Sequence, residues 1–337
     1  LALTFLDPAC GSGNFLTETY LSLRRLENEC IKLRLGGQQS ALDVFGDEFA
    51  IQVQIHQFYG IEINDFAVVV AKTALWIAES QMMTETAMIL SRNLEFLPLK
   101  GYSNIVEGNA LRMDWGTLSS APQIEAVYAE KLHVYKIDEN FDKIEVREPE
   151  IEFGKKYKEL NVITREMESE ELPKDSISAP VEYDYIIGNP PFVGYSLQSE
   201  RQKDDMLKAF TDENGKPYKG AGKIDYVSAW YFTAARFIQE KKTRCAFVST
   251  NSITQGEQVA VLWKPIFKRF NAHIDFAWRT FKWKNETADK ANMAAVHCVV
   301  IGFSSAENDR QKRIFLDDAH SQPASNIRSE EHMSELQ

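Results

Sequence analysis

Residues 4–13, Thr-Phe-Leu-Asp-Pro-Ala-Cys-Gly-Ser-Gly, decide the fold. The apolar run Thr4–Leu6 predicts a short buried strand, and Gly11 and Gly13 predict a turn in which the backbone can approach a ligand closely. The segment 15–35 follows with a helical apolar period. A strand, a glycine turn and a helix in this order are typical of the start of a βαβ unit.

The same alternation continues along the chain. Apolar runs predict strands at 58–63, 104–107, 185–187, 245–249 and 295–302, and helices at 66–82 and 226–239. Strands that alternate with helices predict an α/β fold with a Rossmann-like, doubly wound, mostly parallel sheet. Ligands bind such sheets beyond the carboxyl ends of the strands. Because polar or glycine-rich residues follow four of these strands, the sequence predicts one cleft there.

The apolar period also predicts which faces of the first two helices point inward. The predicted inward face of the first helix includes Leu16, Tyr20, Leu23, Leu26, Cys30 and Leu33. The predicted inward face of the second includes Phe66, Val70, Ala74 and Ile77.

Composition limits the classes of protein that the chain can represent. With 44% hydrophobic and 26% charged residues, the 337 residues can bury one or two cores and are neither disordered nor collagen-like. A run of about 18 apolar residues is absent, so a membrane span is not expected. The four cysteines are scattered, which argues against a disulfide framework or a zinc site and fits the reducing cytoplasm.

The net charge of -11 does not exclude a nucleic-acid partner, because the acidic residues are unevenly distributed. Residues 121–182 alone hold 16 Asp and Glu against 9 Lys and Arg, a net charge of -7. The rest of the chain is nearly balanced and has a local basic cluster at Arg279, Lys282 and Lys284. Since association with DNA depends on local positive patches, a phosphate-binding face is possible outside the acidic segment.

The turn at 7–13 departs from the dinucleotide fingerprint, which requires a third glycine where this chain has Leu16 and an acidic residue about 20 positions later. A ligand without phosphates fits better, and S-adenosylmethionine is such a ligand. Asp7 could bind its ammonium group directly or through water, Glu62 could accept both ribose hydroxyls, and Asn109 could hydrogen-bond the adenine edge. A purely structural turn with ordinary strand-end acids is the alternative.

The segment 188–192, Gly-Asn-Pro-Pro-Phe, follows another predicted strand. Pro190 and Pro191 stiffen the turn and remove two N–H donors, so the Asn189 side-chain oxygen and the Pro190 carbonyl can face the cleft as acceptors. Two such acceptors suit an exocyclic NH2 group, whose localised lone pair can then attack a sulfonium methyl in line. Phe192 adds a flat face for a base. The alternative is a stiff loop with a core phenylalanine.

An amino group inside a duplex is out of reach of this turn, so the base must be flipped out of the stack. Phe281 or Trp283 could supply a second stacking wall, while Lys282 and Lys284 could contact phosphates. The alternative is an edge strand with a basic, solvent-exposed face.

Two motifs, DPACGSGNF at 7–15 and GNPPF at 188–192, closely resemble those of the amino-group DNA methyltransferases, particularly the N6-adenine enzymes. Four other segments further resemble the MmeI family of combined restriction–modification proteins: 58–63, 108–115, 225–232 and 296–303. The resemblance covers most of the chain except 117–180 and the final residues.

This resemblance implies transfer of a methyl group from S-adenosylmethionine to the N6 amine of a flipped adenine in double-stranded DNA, with Asn189, Pro190, Pro191 and Phe192 holding the amine. The predicted cofactor-binding residues are Asp7, Ala9, Gly11, Gly13, Asn14, Phe15, Glu62, Ile63, Asn109 and Ala110. Relatives commonly carry Asp where this chain has Asn109. The cofactor motif precedes the catalytic motif, as in the gamma arrangement, so a recognition domain and a nuclease are expected elsewhere in the full-length protein.

The sequence predicts one methyltransferase domain with an insertion. Residues 1–116 would form the cofactor-binding half and residues 181–320 the catalytic half. Residues 117–180 are interpreted as an acidic, partly flexible insertion, because their mixed charge and sparse apolar content bury little surface. The final residues 328–337, RSEEHMSELQ, resemble the translation of a common sequencing adapter and are interpreted as a non-native tail. The first residue is not Met, which predicts a longer parent protein.

Other substrates remain compatible with these motifs. N4-cytosine methylation is chemically close, although Asn rather than Ser at position 189 favours adenine. Methylation of an RNA base or of a protein glutamine amide uses similar turns. A truncated, cofactor-binding fragment without activity is the non-enzymatic alternative.

Overall fold

The computed structural model describes residues 2–35, 51–90, 104–120, 181–283, 296–305, 312–316 and 321–323. The chain divides into two compact units, one formed by Leu1–Leu118 with Val181–Gln337 and the other by Ser119–Pro180. Residues 121–180 of the predicted insertion and the predicted tail at 328–337 lie outside the described residues. The fold is therefore that of the first unit.

The described residues form nine strands and five α-helices. The strands are β1 (Phe5–Asp7), β2 (Phe58–Glu62), β3 (Asn104–Glu107), β4 (Tyr185–Gly188), β5 (Arg244–Thr250), β6 (His273–Trp283), β7 (Val296–Ser304), β8 (Arg313–Phe315) and β9 (Ser321–Pro323). The helices are α1 (Asn14–Leu35), α2 (Asp65–Leu90), α3 (Glu200–Ala209), α4 (Ser228–Phe237) and α5 (Gly256–Lys268). Of these described helices, none has the length and hydropathy that a membrane span requires.

The described strands pair in one sheet in the order β3-β2-β1-β4-β5-β7-β6-β8-β9. The first five run parallel to one another, with Leu6 of β1 paired to Tyr59 of β2 on one side and to Ile186 of β4 on the other. β7 is antiparallel to both β5 and β6. The strand order reverses between β1 and β4, which is the switch point where doubly wound sheets bind ligands. The predicted α/β fold with a mostly parallel sheet is confirmed.

Each face of the sheet carries its own apolar core. Successive side chains of a strand point to opposite faces, so Phe5 packs with α1 and α2 whereas Leu6 packs with α4 and α5. Both side chains are buried, and burial of one such side chain contributes about 1.5 to 3 kcal/mol. The strands are thus packed between two helical layers.

The predicted inward face of α1 is correct up to Leu23 and wrong beyond it. Leu16 and Tyr20 are buried, and half-buried Leu23 packs against the same core. Cys30 is exposed, and Leu26 and Leu33 are 55% and 79% exposed. The inward positions after Leu23 are instead largely polar. They are Arg24, Glu27, Asn28 and Ile31.

The inward face of α2 also differs from the prediction. Phe66 is 73% exposed and Ile77 is 54% exposed. The buried residues are Val68, Ala71, Leu75, Ala78, Met82 and Thr86. Because α2 carries apolar residues on most of its circumference, the apolar period alone does not identify the buried side.

A buried polar network explains the orientation of α1. Arg24 is fully buried, pairs with Glu27 and donates from Nη2 to the Oγ1 of Thr86 on α2 at 2.7 Å. The Thr86 hydroxyl in turn donates to the Oδ1 of Asn28 at 2.7 Å. A buried charge is tolerated when it is paired and hydrogen-bonded, so this network orients α1 against α2 at the expense of the leucines.

We expect Arg24→Ala to destabilise the fold by about 3 to 5 kcal/mol, because it leaves the Glu27 carboxylate buried without its partner. The neighbouring Arg25→Ala is the matched control, since the Arg25 side chain is 57% exposed and pairs with exposed Glu18. That variant should change stability by less than about 1 kcal/mol. Urea unfolding followed by circular dichroism measures both. Equal losses of stability in the two variants would show that the network does not orient the helix.

Candidate active site

A cleft of about 510 Å³ opens at the carboxyl ends of four parallel strands. Each strand end contributes to its wall: Ala9 after β1, Glu62 at the end of β2, Asn109 after β3 and Asn189 after β4. Adjacent strands lie about 4.8 Å apart, so these four positions span about 14 Å along the cleft. In sheet order they run Asn109, Glu62, Ala9, Asn189.

Backbone hydrogen bonds tie the glycine turn to the neighbouring strand ends. The Gly11 N–H donates to the Glu62 Oε2 at 2.9 Å, and the Cys10 N–H donates to the Ile61 carbonyl at 3.1 Å. The Gly108 N–H donates to the Glu62 carbonyl at 2.8 Å. Glu62 therefore joins the ends of β1, β2 and β3.

The Glu62 carboxylate keeps room for a further donor. Its Oε1 accepts the Asn64 N–H at 3.0 Å in addition to the bond from Gly11 to Oε2. A carboxylate has about four acceptor positions, and these two N–H groups use half of them. Because Glu62 is half-buried on the cleft wall, hydroxyl groups of a ligand can approach the rest.

The two glycines of the turn differ in what they allow. At Gly13, whose φ is +82°, an added Cβ would lie 2.9 Å from the Ala71 Cβ, so glycine lets the turn pack against α2. Gly11 has a φ of +53° and presents its N–H to Glu62. Neither residue is part of the cleft wall among the described residues.

Asn14 and Phe15 lie elsewhere as well. They line a separate, mostly apolar depression together with Phe5 and Tyr185, on the α1 side of the sheet. The structure therefore does not bring these two predicted cofactor-binding side chains into the cleft. Ile63 and Ala110 do lie on its wall, beside the ends of β2 and β3.

Asp7 lies beneath the cleft and is 1% exposed. Its Oδ1 accepts the Ala9 N–H at 3.0 Å, and a Cβ at Gly188 would lie only 2.5 Å from that oxygen. Burial raises the pKa of Asp7 to about 7; the Ala9 N–H opposes this shift, and the Glu62 charge adds to it. The carboxyl group thus connects the glycine turn with the Asn189 turn from below and does not form part of the cleft wall.

Asn189 presents an unpaired acceptor. Its Oδ1 is buried and has no hydrogen-bond partner among the described residues. Leaving such an atom unpaired costs about 1 to 3 kcal/mol, so the site is prepared for a donor. Pro190 is buried and Pro191 lies on the cleft wall, while half-buried Phe192 packs against the larger core.

A further part of the wall comes from the regions of α3 and α4. The sequence predicted α4 as the helix 226–239 but missed α3. Asp205 is 2% exposed, and the Trp230 Nε1 donates to the Pro8 carbonyl at 3.0 Å. The S-x-x-Q pattern at 199–202 is a capping box that indicates the start of α3 and could have revealed this helix. The other residues on this part of the cleft wall are Ser199, Arg201, Gln202 and Tyr226.

Phe281, Lys282 and Trp283 lie near the end of β6 and do not line the cleft. β6 runs parallel to β5, and Phe281 shares its β7 partner Cys298 with Thr250, the last residue of β5. These residues therefore lie at the same edge of the sheet as the cleft, about 14 Å or three strand spacings from β4. Lys284 lies outside the described residues.

A family model, the DNA-methyltransferase domain of MmeI, matches residues 1–316. The chain belongs to this family. The resemblance of its motifs to the MmeI family is thereby confirmed, and the cleft is the candidate active site of an MmeI-type DNA-methyltransferase domain.

Two relatives support this membership. DNA methyltransferase A of Bacillus subtilis (strain 168) is 35% identical over 319 residues, which are 94% of this chain and 28% of that protein. A solved structure of the Type IIL restriction-modification enzyme MmeI in complex with DNA is 35% identical with a TM-score of 0.69, covering 97% of this chain and 35% of that one. This MmeI-type domain thus spans well under half the length of either relative.

Membership of a methyltransferase family implies S-adenosyl-L-methionine as the cofactor. The cleft fits this group. Glu62 offers carboxylate acceptors suited to the hydroxyls of a ribose, and Asn189, with its unpaired Oδ1, lines the same cleft two strands away.

We expect Asp7→Asn to remove a pH dependence of stability. The folded-state pKa of Asp7 is raised from 3.8 to about 7, so the stability that its protonated form contributes is present below about pH 4 and lost as the pH rises to about 7. Relative to the wild type, the variant should therefore gain on the order of 1 to 4 kcal/mol between pH 4 and pH 7. Urea unfolding of both proteins at several pH values measures this difference in stability. A difference that stays the same from pH 4 to pH 7 would contradict the raised pKa of Asp7.

Proposed function

We propose that this MmeI-type domain transfers a methyl group from S-adenosylmethionine to the N6 amine of an adenine flipped out of double-stranded DNA, as part of a restriction–modification system. The observation that carries the proposal is the buried, unpaired Oδ1 of Asn189, which lies on the same cleft wall as Glu62 and Asn109. An acceptor awaiting a donor at the end of β4 suits an amino group.

The sheet order supports the placement of the cofactor. The turn after β1 would hold its methionine part near Ala9, Glu62 would accept the ribose hydroxyls, and the adenine would lie at Asn109. When bound, S-adenosylmethionine supplies an electrophilic methyl group on a sulfonium. With the methionine part at β1, that methyl group would lie next to β4, where Asn189 holds the acceptor.

The Asn189 turn would act on the amine by hydrogen bonding. The Asn189 Oδ1 and the Pro190 carbonyl would each accept one hydrogen of the NH2 group, which localises the nitrogen lone pair towards the methyl group. A new N–C bond would then form as the S–C bond breaks, and the surplus proton on nitrogen would pass to solvent. Positioning by the rigid Pro190–Pro191 pair contributes to the rate, because the reacting atoms are held in line.

The DNA would lie across the carboxyl edge of the sheet. Arg279 and Lys282 are exposed near the end of β6 at that edge, beside Phe281 and Trp283. We assign these side chains, together with Lys284, to contacts with phosphates or with the flipped base. The related MmeI structure is a complex with DNA. In the gamma arrangement, the recognition sequence would be read by other parts of the longer protein.

The chain organisation follows the same proposal. Residues 1–116 would supply the cofactor-binding half and residues 181–320 the catalytic half of one domain. The parallel pairing of β1 with β4 supports this arrangement, since it joins the two halves within one sheet.

Incubation of the protein with radiolabelled S-adenosylmethionine and DNA of mixed sequence, followed by nucleoside analysis, tests the substrate. We expect label in N6-methyladenine. Label in N4-methylcytosine would mean that cytosine is the target base and would leave the mechanism unchanged. Label in RNA or in protein glutamine would overturn the assignment of DNA as the substrate. Cofactor binding without any transfer would favour the inactive fragment.

Asn189→Ala should abolish methyl transfer and leave cofactor affinity within about threefold, because the lost acceptor contacts the amine and not the cofactor. Exposed Asn214 lies in a surface turn, so Asn214→Ala is a matched control that should keep both properties. Transfer rates and titration calorimetry supply the two readouts. If Asn189→Ala lost cofactor binding in parallel with transfer, the residue would be structural.

A further inference from the structure

Asp205 of α3 is a buried carboxylate on the cleft wall that no motif identifies. Its Oδ2 accepts the Asn109 Nδ2 at 3.0 Å and the Tyr226 hydroxyl at 2.9 Å, and its Oδ1 accepts the Arg112 Nε at 2.5 Å. Three donors therefore converge on one acid that is 2% exposed. A carboxylate has about four acceptor positions, so one remains for a group in the cleft.

The same contacts fix the orientation of the Asn109 amide. Its Nδ2 donates to Asp205, and its Oδ1 accepts the Leu111 N–H at 3.0 Å. The two ends of an amide side chain are told apart by such partners, and here both ends are assigned. The Asn109 nitrogen has a second hydrogen, so the wall at the end of β3 offers an N–H donor next to a carboxylate acceptor.

A donor beside an acceptor matches the Watson–Crick edge of adenine, which carries a ring-nitrogen acceptor beside an amine donor. Hypoxanthine reverses both groups, because its ring nitrogen is protonated and its six-position carries an oxygen. Arg112 donates to the Asp205 Oδ1 and Tyr226 donates to the Oδ2, so both help keep the carboxylate in the position that this edge requires.

We propose that Asp205 and Asn109 together recognise the adenine of the cofactor, with Asp205 accepting a hydrogen from its exocyclic amine and Asn109 donating to its ring nitrogen. The inference rests on the proposed function, which places the cofactor adenine at the end of β3. Asp205 is then a specificity-determining residue. It would supply the acceptor that an aspartate at position 109 could supply by itself.

Titration calorimetry with S-adenosylhomocysteine and with S-inosylhomocysteine, its 6-oxo counterpart, tests the inference. The wild type should bind the adenine compound about 10- to 100-fold more tightly, the range expected for one matched donor–acceptor pair. In Asp205→Asn, an amide N–H can replace the acceptor, so affinity for the adenine compound should fall and the ratio of the two affinities should shrink to within about threefold.

Asp204→Asn is the matched control, because Asp204 also contacts Arg112 but is 48% exposed and not part of the cleft wall. It should keep the wild-type ratio. If Asp205→Asn lost affinity equally for both ligands, the residue would be structural and the inference would be overturned. A wild type that binds both ligands with the same affinity would also overturn it. A wild type that binds neither compound would instead contradict the proposed function.

Discussion

Glu62 joins three strand ends through its side chain and its backbone carbonyl, and the geometry of the cleft depends on these bonds. Its side chain accepts the Gly11 N–H, while its backbone carbonyl accepts the Gly108 N–H. The turn after β1 is thereby held against β2, and β2 against the residues that precede Asn109. Charge-assisted bonds to N–H groups are among the stronger hydrogen bonds. A residue of this kind orders the site before any ligand arrives, so less ordering remains to be done on binding.

Two buried polar groups that a stable core would avoid lie at the strand ends beside Glu62. Asp7 is buried with its pKa raised to about 7, and the Asn189 Oδ1 is buried without a partner among the described residues. Both cost stability. Away from the cleft, the equally buried Arg24 is paired with Glu27 and bonded to Thr86, although its Nε and the Asn28 Nδ2 also lack a partner among the described residues. What distinguishes the unpaired Asn189 Oδ1 is that it belongs to a cleft-lining residue, where a ligand can supply a donor.

Sequence patterns predicted six of the nine described strands, β1 to β5 and β7, and three of the five described helices, α1, α2 and α4. The hits and misses have physical reasons. Short apolar runs such as Phe5–Leu6 are buried on both faces of a parallel sheet, so they stand out in the sequence. The inward face predicted for α1 was wrong beyond Leu23, because the paired arginine at position 24 is buried where the apolar pattern predicts an exposed residue. α3 was missed because its sequence, ERQKDDMLKA, is mostly charged. Asp205, which lies on this helix, was therefore missed as well. It is 96 residues from Asn109 in the sequence, yet the two side chains are hydrogen-bonded.

Two acceptors at opposite ends of the cleft explain how a single pocket could handle two adenines. Under the proposed function, both the cofactor and the target carry an exocyclic amine, yet only one must react. The ends of β3 and β4 are separated by three strand spacings, about 14 Å. An amine held at Asp205 would therefore be too far from the methyl group for attack, which requires contact at about 3 to 3.5 Å. An amine held at Asn189 would lie beside it. Position along the sheet, more than the strength of either acceptor, would decide which amine is methylated.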